Sequence, residues 1–305
     1  MRSASVSTRH VTVWADGRAE LPFPRVPSMR FNPGMQHARP QASSPASLSV
    51  TSRPLPPSRG FVADLVGLAQ NVPLFPVDRV MPLADLASAR AAAATRIGWA
   101  AIFLKAQARV AAEMPVLRTW YVRGLRARLA TASQSVASIA INRAESGEDR
   151  LFFARLPSPD GRSLHDIQRF LDRCGTAPVD EFFKRQLQLE SLPGPLRRAV
   201  LWCNINSSSP KRCSRIGTFS LSTLAGLGAS NHGHPTVCTT SLSFAPLESD
   251  GRCRVTLICD HRVLDGATAA RALERLEQVL RGEMADELRG LTTTPPAADG
   301  RGAAV

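Results

Sequence analysis

Near its C-terminal end the chain reads Asp260-His261-Arg262-Val263-Leu264-Asp265-Gly266, a histidine four positions before an aspartate-glycine pair. A neutral imidazole accepts a proton near pH 7, so a histidine held at a strand end is suited to deprotonating a thiol or hydroxyl nucleophile. The flanking pattern supplies such a hold. The run Val255-Thr256-Leu257-Ile258-Cys259 predicts a strand before the histidine, and Ala267 to Leu280 predicts a helix after it. The spacing arises by chance in roughly a few per cent of chains of this length. The competing reading of the same residues is a plain strand-to-helix turn, with Asp265 capping the helix and His261 on the surface.

Upstream, Thr218 to Leu224 predicts a strand with alternating side chains. Phe219, Leu221 and Thr223 face one way, while Ser220, Ser222 and Leu224 face the other. The stretch Ala225-Gly226-Leu227-Gly228 follows, and its two glycines, like Gly266, suit tight turns. A second strand is expected over Thr239 to Phe244. His232 and His234 sit two apart before Pro235 without a third ligand in reach, so no metal site is expected. His165, within Ser163-Leu164-His165-Asp166, reads as a helix-terminus residue behind a capping box. The six cysteines form no C-x-x-C pair, which favours free buried thiols, and Cys259 reads as a packed strand residue.

The order and identity of these residues resemble the catalytic domain of the dihydrolipoamide acyltransferases, the core subunits of 2-oxoacid dehydrogenase complexes, a family that belongs with chloramphenicol acetyltransferase. That family shows Gly-Thr-Phe-Thr-Ile-Ser-Asn-Leu-Gly and then Asp-His-Arg-Val-x-Asp-Gly. The resemblance is strongest over Gly217 to Arg281. It runs collinearly from Val72-Pro73 through Ile102 to Ala106 and Met114-Pro115, covers roughly Gly60 to Leu291, and matches poorly between Pro178 and Arg215.

The resemblance implies an α/β, chloramphenicol acetyltransferase-like two-layer domain, a mixed central sheet with flanking helices, assembled as a homotrimer. It implies coenzyme A-dependent acyl transfer, with coenzyme A as substrate and no metal. His261 then matches the general base, Ser222 the hydroxyl that bonds the oxyanion, and Asp265 a supporting carboxylate that pairs with an arginine rather than relaying a proton. Arg262 takes a similar ion-pairing role. One preorganised oxyanion donor is worth roughly 3 kcal/mol of barrier. The implied acceptor is a dihydrolipoyl-like thiol on a lipoyl domain of another chain. Two departures bear on the acceptor channel: Thr223-Leu224-Ala225 stands where the family carries Asn-Leu-Gly after the serine, and the stretch from Ser222 to His261 is shorter than usual. Acyl transfer to a small amine or alcohol, and a catalytically silent trimeric scaffold, are the alternatives.

The elements that must position these residues fill the middle of the 305-residue chain. Helical stripes are expected from Ser58 (Phe61, Leu65, Leu68), over Ala84 to Ala94, and through Trp99, Ile102, Phe103, Ala106 and Val110. Val77 to Leu83 reads as extended, and Ala137-Ile139-Ile141 with Leu151 to Leu156 reads as a hairpin. The segment 181–215 reads as a helical hairpin on the core or, with its Leu196-Arg197-Arg198 run, as a basic element that meets a membrane or a partner. Residues 1–58, rich in Pro, Ser and Arg, read as a disordered arm ahead of a catalytic domain over 59–291, with 292–305 a flexible tail. An Arg- and Ser-rich start also has the composition of an organelle transit peptide. The charge of +13, from 38 Lys plus Arg against 25 Asp plus Glu, suits an anionic substrate. No aromatic-interleaved basic motif or zinc spacing supports nucleic acid. The absence of a secretory core or bilayer-length apolar run leads to the expectation of a cytoplasmic location.

Overall fold

In the computed structural model, which describes residues 48, 50–145 and 147–291, the first regular element is helix α1 (Pro57–Ala69), with proline in its opening turn. Strand β1 (Leu74–Pro82) leads through α2 (Ala84–Ala92) to α3 (Trp99–Glu113), nine of whose 15 residues are buried. A small hairpin of β2 (Thr119–Val122) and β3 (Arg128–Thr131) forms its own two-stranded sheet, which the hydrophobic pattern does not signal. The long hairpin β4 (Val136–Glu145) and β5 (Glu148–Pro157) follows as expected. The Ser163 hydroxyl caps α4 (Leu164–Thr176) by accepting from Asp166 N.

The segment of poor resemblance folds as four helices: α5 (Val179–Phe182), α6 (Lys184–Glu190), α7 (Gly194–Ile205) and α8 (Lys211–Ile216). This is the helical hairpin on the core. Its Arg197, one of the two arginines that suggested a basic element meeting a membrane or a partner, is buried. Its Nε donates to Asp64 Oδ2 of α1 at 2.7 Å, and its Nη1 reaches the carbonyls of Glu190 and Leu192. A guanidinium can be taken out of water there because a carboxylate and two carbonyls replace its hydration. The chain closes with β6 (Phe219–Leu221), β7 (Thr240–Phe244), β8 (Arg252–Asp260), α9 (Gly266–Val279) and α10 (Ala285–Gly290).

Six strands make one mixed sheet in the order β1-β8-β7-β6-β4-β5, with β6 parallel to both β4 and β7 and the other pairs antiparallel. The sheet has two chemically different faces. Ala137, Phe152, Phe219, Leu242, Val255 and Leu257 join the apolar core with α3 and α9, where Phe103 stacks on Phe244 at 4.3 Å between ring centroids. The opposite face carries Ser138, Ser220, Ser241, Ser243 and Thr256, most of them buried. Some of these hydroxyls are satisfied on that face, since Ser220 donates to Ser241 at 2.7 Å and Thr256 donates to the Asp78 carboxylate at 2.6 Å, whereas the buried Ser243 hydroxyl has no partner among the described residues. The arm expected over 1–58 and the tail expected over 292–305 lie largely or wholly outside the described residues.

Gly251, in the turn from β7 into β8, brings the start of the strand that precedes His261 into close contact with the start of α2. Its φ of 79° lies in the left-handed region, and a Cβ there would come within 2.5 Å of Ala84 Cβ. Gly251→Ala should therefore lower stability by about 2 kcal/mol or more, through backbone strain plus overpacking. Denaturant unfolding checks this, and an unchanged midpoint would refute it.

Candidate active site

His261 follows the last residue of β8, and the sheet still holds its backbone: its N–H donates to Pro73 O at 2.9 Å, extending the β1–β8 ladder by one step. Its imidazole is exposed and tilted against the Phe75 ring, 4.7 Å between centroids. The turn behind it is locked by Asp260. That nearly buried carboxylate accepts from Arg262 N and Nε through one oxygen, at 3.0 and 2.9 Å, and from Nη2 through the other at 2.7 Å. The Arg262 guanidinium also lies 4.5 Å from the Tyr121 ring centroid, so the unpredicted β2–β3 hairpin has a part in holding the histidine loop.

The arginine pairing that the resemblance assigned to Asp265 thus falls to Asp260. Asp265 is the N-cap of α9, accepting from Thr268 N at 2.8 Å, a bond that also holds its carboxyl below the usual range. An aspartate one residue before the histidine and two before the arginine is the sequence signal for this clamp. The expected turning roles of Gly226 and Gly266 are not required either: of the three proposed turn glycines only Gly228, at φ 71°, occupies the left-handed region.

Ser222 lies one residue beyond β6, a strand of three residues rather than the seven its alternation suggested. Its N–H donates to Leu242 O, and its half-buried hydroxyl makes no hydrogen bond among the described residues. Thr223, which follows the serine where the family carries asparagine, ties the turn to the sheet. Its hydroxyl donates to Phe244 O at 2.8 Å and accepts from Ala225 N.

Register sets the distance between the two candidate residues. Leu221 pairs with Leu242, Ser243 pairs with Thr256, and β7 and β8 run in opposite directions. Ser222 is therefore level with Thr256, five residues from His261, an offset of about 17 Å along the strand direction before the two intervening strand spacings are added. Within one chain the two side chains cannot reach the same reacting atom.

Ser222 opens onto a cavity of about 510 Å³ beneath α1, mostly apolar, in whose wall His261 has no part. His234, discounted as a ligand, belongs to that wall. Its Nε2 lies 2.6 Å from Ser241 Oγ, and its Nδ1 lies 3.1 Å from Asn231 Nδ2, which selects the tautomer protonated at Nε2. Among the described residues no group of three or more His, Cys, Asp or Glu side chains is arranged to hold a metal ion. The five buried cysteines have no disulfide partner, and burial pushes the Cys259 thiol up to about 12. No helix of the described residues is long and apolar enough to cross a membrane.

No protein-family model and no curated protein matches the sequence. Solved structures do match. A probable dihydrolipoamide acetyltransferase from Listeria monocytogenes is similar at TM-score 0.56 and 17% identity, over 81% of this chain and 98% of that one. The dihydrolipoamide acetyltransferase of Azotobacter vinelandii is similar at TM-score 0.58 and 17% identity, over 78% of this chain and 93% of that one. The fold is that of the acetyltransferase cores. A third such core, the truncated catalytic core of the 2-oxoacid dehydrogenase multienzyme complex from Thermoplasma acidophilum, is similar at TM-score 0.53 and 17% identity, over 77% of this chain and 99% of that one. The acetyltransferase-core fold accounts for the mixed sheet with flanking helices anticipated from the sequence.

Burial lowers the pKa of His234 from its ordinary 6.5, so the folded chain favours the neutral ring. The resulting stability is fully present above pH 6.5 and is lost as pH falls below it, through the folded-state pKa. The melting-temperature advantage of wild type over His234→Asn should therefore shrink between pH 7.5 and 5. A constant difference across that range would contradict a buried neutral ring.

Proposed function

We propose that the chain is a coenzyme A-dependent acyltransferase whose site is completed by a second copy, His261 from one subunit meeting Ser222 from its neighbour. The separation of the two residues by strand register carries this reading. Each half is chemically ready and lacks the other: His261 is presented at an exposed edge on a clamped loop, and Ser222 offers an unused hydroxyl at a cavity. The fold supports it. The Azotobacter structure was determined in an investigation of a serine, a histidine and an asparagine in the catalytic mechanism, the last two four positions apart, as are His261 and Asp265 here. A closed ring of copies would let each His261 meet a neighbour's Ser222, and the resemblance implies a ring of three.

In the proposed reaction the neutral His261 imidazole takes the proton of the attacking thiol. The thiolate sulfur adds to the acyl thioester carbon, and the developing oxyanion accepts a hydrogen bond from Ser222 Oγ. Collapse breaks the old carbon–sulfur bond, and the leaving thiolate recovers the proton from the imidazolium. Transfer is direct, so no nucleophilic Cys or Ser is needed, in keeping with the burial of five of the six cysteines and the absence of the exposed Cys203 from the cavity wall. Asp260 and Arg262 position the histidine, and Asp265 caps the helix behind it. Coenzyme A is one substrate. The dihydrolipoyl arm of a separate lipoyl domain is the other that the resemblance implies, and the Ser222 cavity bears on that choice.

His261→Ala should lower turnover at least a hundredfold, given general-base contributions of roughly 10²–10⁴. Ser222→Ala should cost about 10²–10³. Steady-state assays with a panel of acyl-coenzyme A donors, alongside thermal melts, check both. Full activity in His261→Ala would overturn the assignment.

A further inference from the structure

The cavity beside Ser222 concentrates charge that the proposed acyl transfer does not use. Three guanidiniums face it, Arg155 of β5, Arg185 of α6 and Arg215 of α8, and none of them is ion-paired among the described residues. Arg155 Nε donates to Arg215 O at 3.2 Å, and Arg215 Nη1 donates to Asn204 Oδ1 at 2.7 Å. That leaves the outer Nη2 of both residues without a partner in the described chain. Burial pushes the Arg155 guanidinium down to about 10, and the neighbouring Arg185 and Arg212 charges push it the same way. Arg155 and Arg215 are half-buried and Arg185 is exposed, and like charges gathered in one cavity wall repel one another until an anion completes them.

Much of the rest of the wall is apolar, supplied by α1 through Phe61 and Leu65, by Phe153, and by Leu189 and Leu201 of the helical hairpin, while the sheet contributes the hydroxyls of Ser138 and Ser220. Arg155 pairs across the sheet with Ser138, and Ser138 with Ser220, so all three stand in one row on the same face. Ser222 is one same-face step further along, which puts its Cα about 12 Å from that of Arg155. The cavity thus offers an anion site at one place and a hydroxyl donor at another, with the apolar side chains of the overlying helices spanning a medium chain length above the serine-lined floor between them. A neutral acyl-carrying arm gives the arginines nothing to bind.

We propose that this cavity selects the non-coenzyme substrate, and that this substrate is a free single-chain amphiphile with an anionic head group, a carboxylate or a phosphate. Its role as substrate rests on the proposed acyltransferase activity; its binding does not, so the test reads binding alone.

Calorimetry on the full chain at low salt, with decanoate, decyl phosphate, decanol and acetate as probes, makes that test. One anionic amphiphile should bind per chain, at least about tenfold tighter than decanol or acetate, because the head group gains charge-assisted bonds to guanidinium. The tighter of decanoate and decyl phosphate identifies the head group. Arg185→Gln combined with Arg215→Gln should erase the preference for anions while leaving the melting temperature and decanol binding in place. His261→Ala should bind the amphiphile like wild type even with turnover lost, so failure of the acyltransferase reading and failure of this one give different results. Equal affinity for decanol and decanoate, indifference of the double variant, binding of no amphiphile, or displacement of bound decanoate by desulfo-coenzyme A would each overturn the proposal. The last would assign the arginines to the coenzyme's phosphates.

Discussion

The register of three neighbouring strands governs what this protein can do. Because β6 runs parallel to β7 and β8 runs against both, the residue leaving β6 and the residue leaving β8 emerge at different levels of the sheet. The side-chain period of two puts Ser222 on the polar face, but no side-chain freedom spans the offset to His261. Gly251 sets the start of β8 close against α2 at one end. At the other, the bond from His261 N to Pro73 O and the Asp260–Arg262 clamp hold the histidine in its place. A chemistry that needs both residues must then be supplied by more than one chain.

Around this constraint the sheet divides its labour. Its apolar face packs on α3 and α9 and gives the strand before His261 a rigid backing, while its hydroxyl-lined face forms the floor of a cavity. On the second face, Ser220 and Ser241 are held by bonds to one another, to Thr236 and to His234 rather than by hydrophobic contact. α1 and the helical hairpin roof the cavity, held together by the Arg197–Asp64 pair. The stretch least like the resembling family is thus the stretch that shapes the space next to Ser222, and this is where substrate choice is expected to differ.

Much of this is legible in the sequence, and the reasons are local. The strand before His261, the helix after it, the β4–β5 hairpin and the stripe of α3 each carry a strong hydrophobic period, and period reports burial directly. The mixed sheet with flanking helices comes from the resemblance. What escapes is of another kind. The β2–β3 hairpin is too short, and β3 too exposed, to leave a period. β6 stops after three residues because Thr223 turns back onto Phe244, a tertiary bond that alternation cannot report. The burial of Arg197 is not visible in the sequence because its partner, Asp64, lies 133 positions away. Asp265 stands out through its likeness to a family residue, whereas the bonds that matter at this loop belong to Asp260.

The central claim, that one working site is built from two copies, can be measured without knowing the natural acyl group. Chains carrying His261→Ala and chains carrying Ser222→Ala are unfolded together, refolded, and assayed with the donor that the wild type uses best. In the mixed assemblies some interfaces join an intact His261 to an intact Ser222, so partial activity should reappear from two inactive parents. If the mixture stays as inactive as either parent while assembling normally, His261 and Ser222 do not meet across an interface, and no working site is shared between subunits.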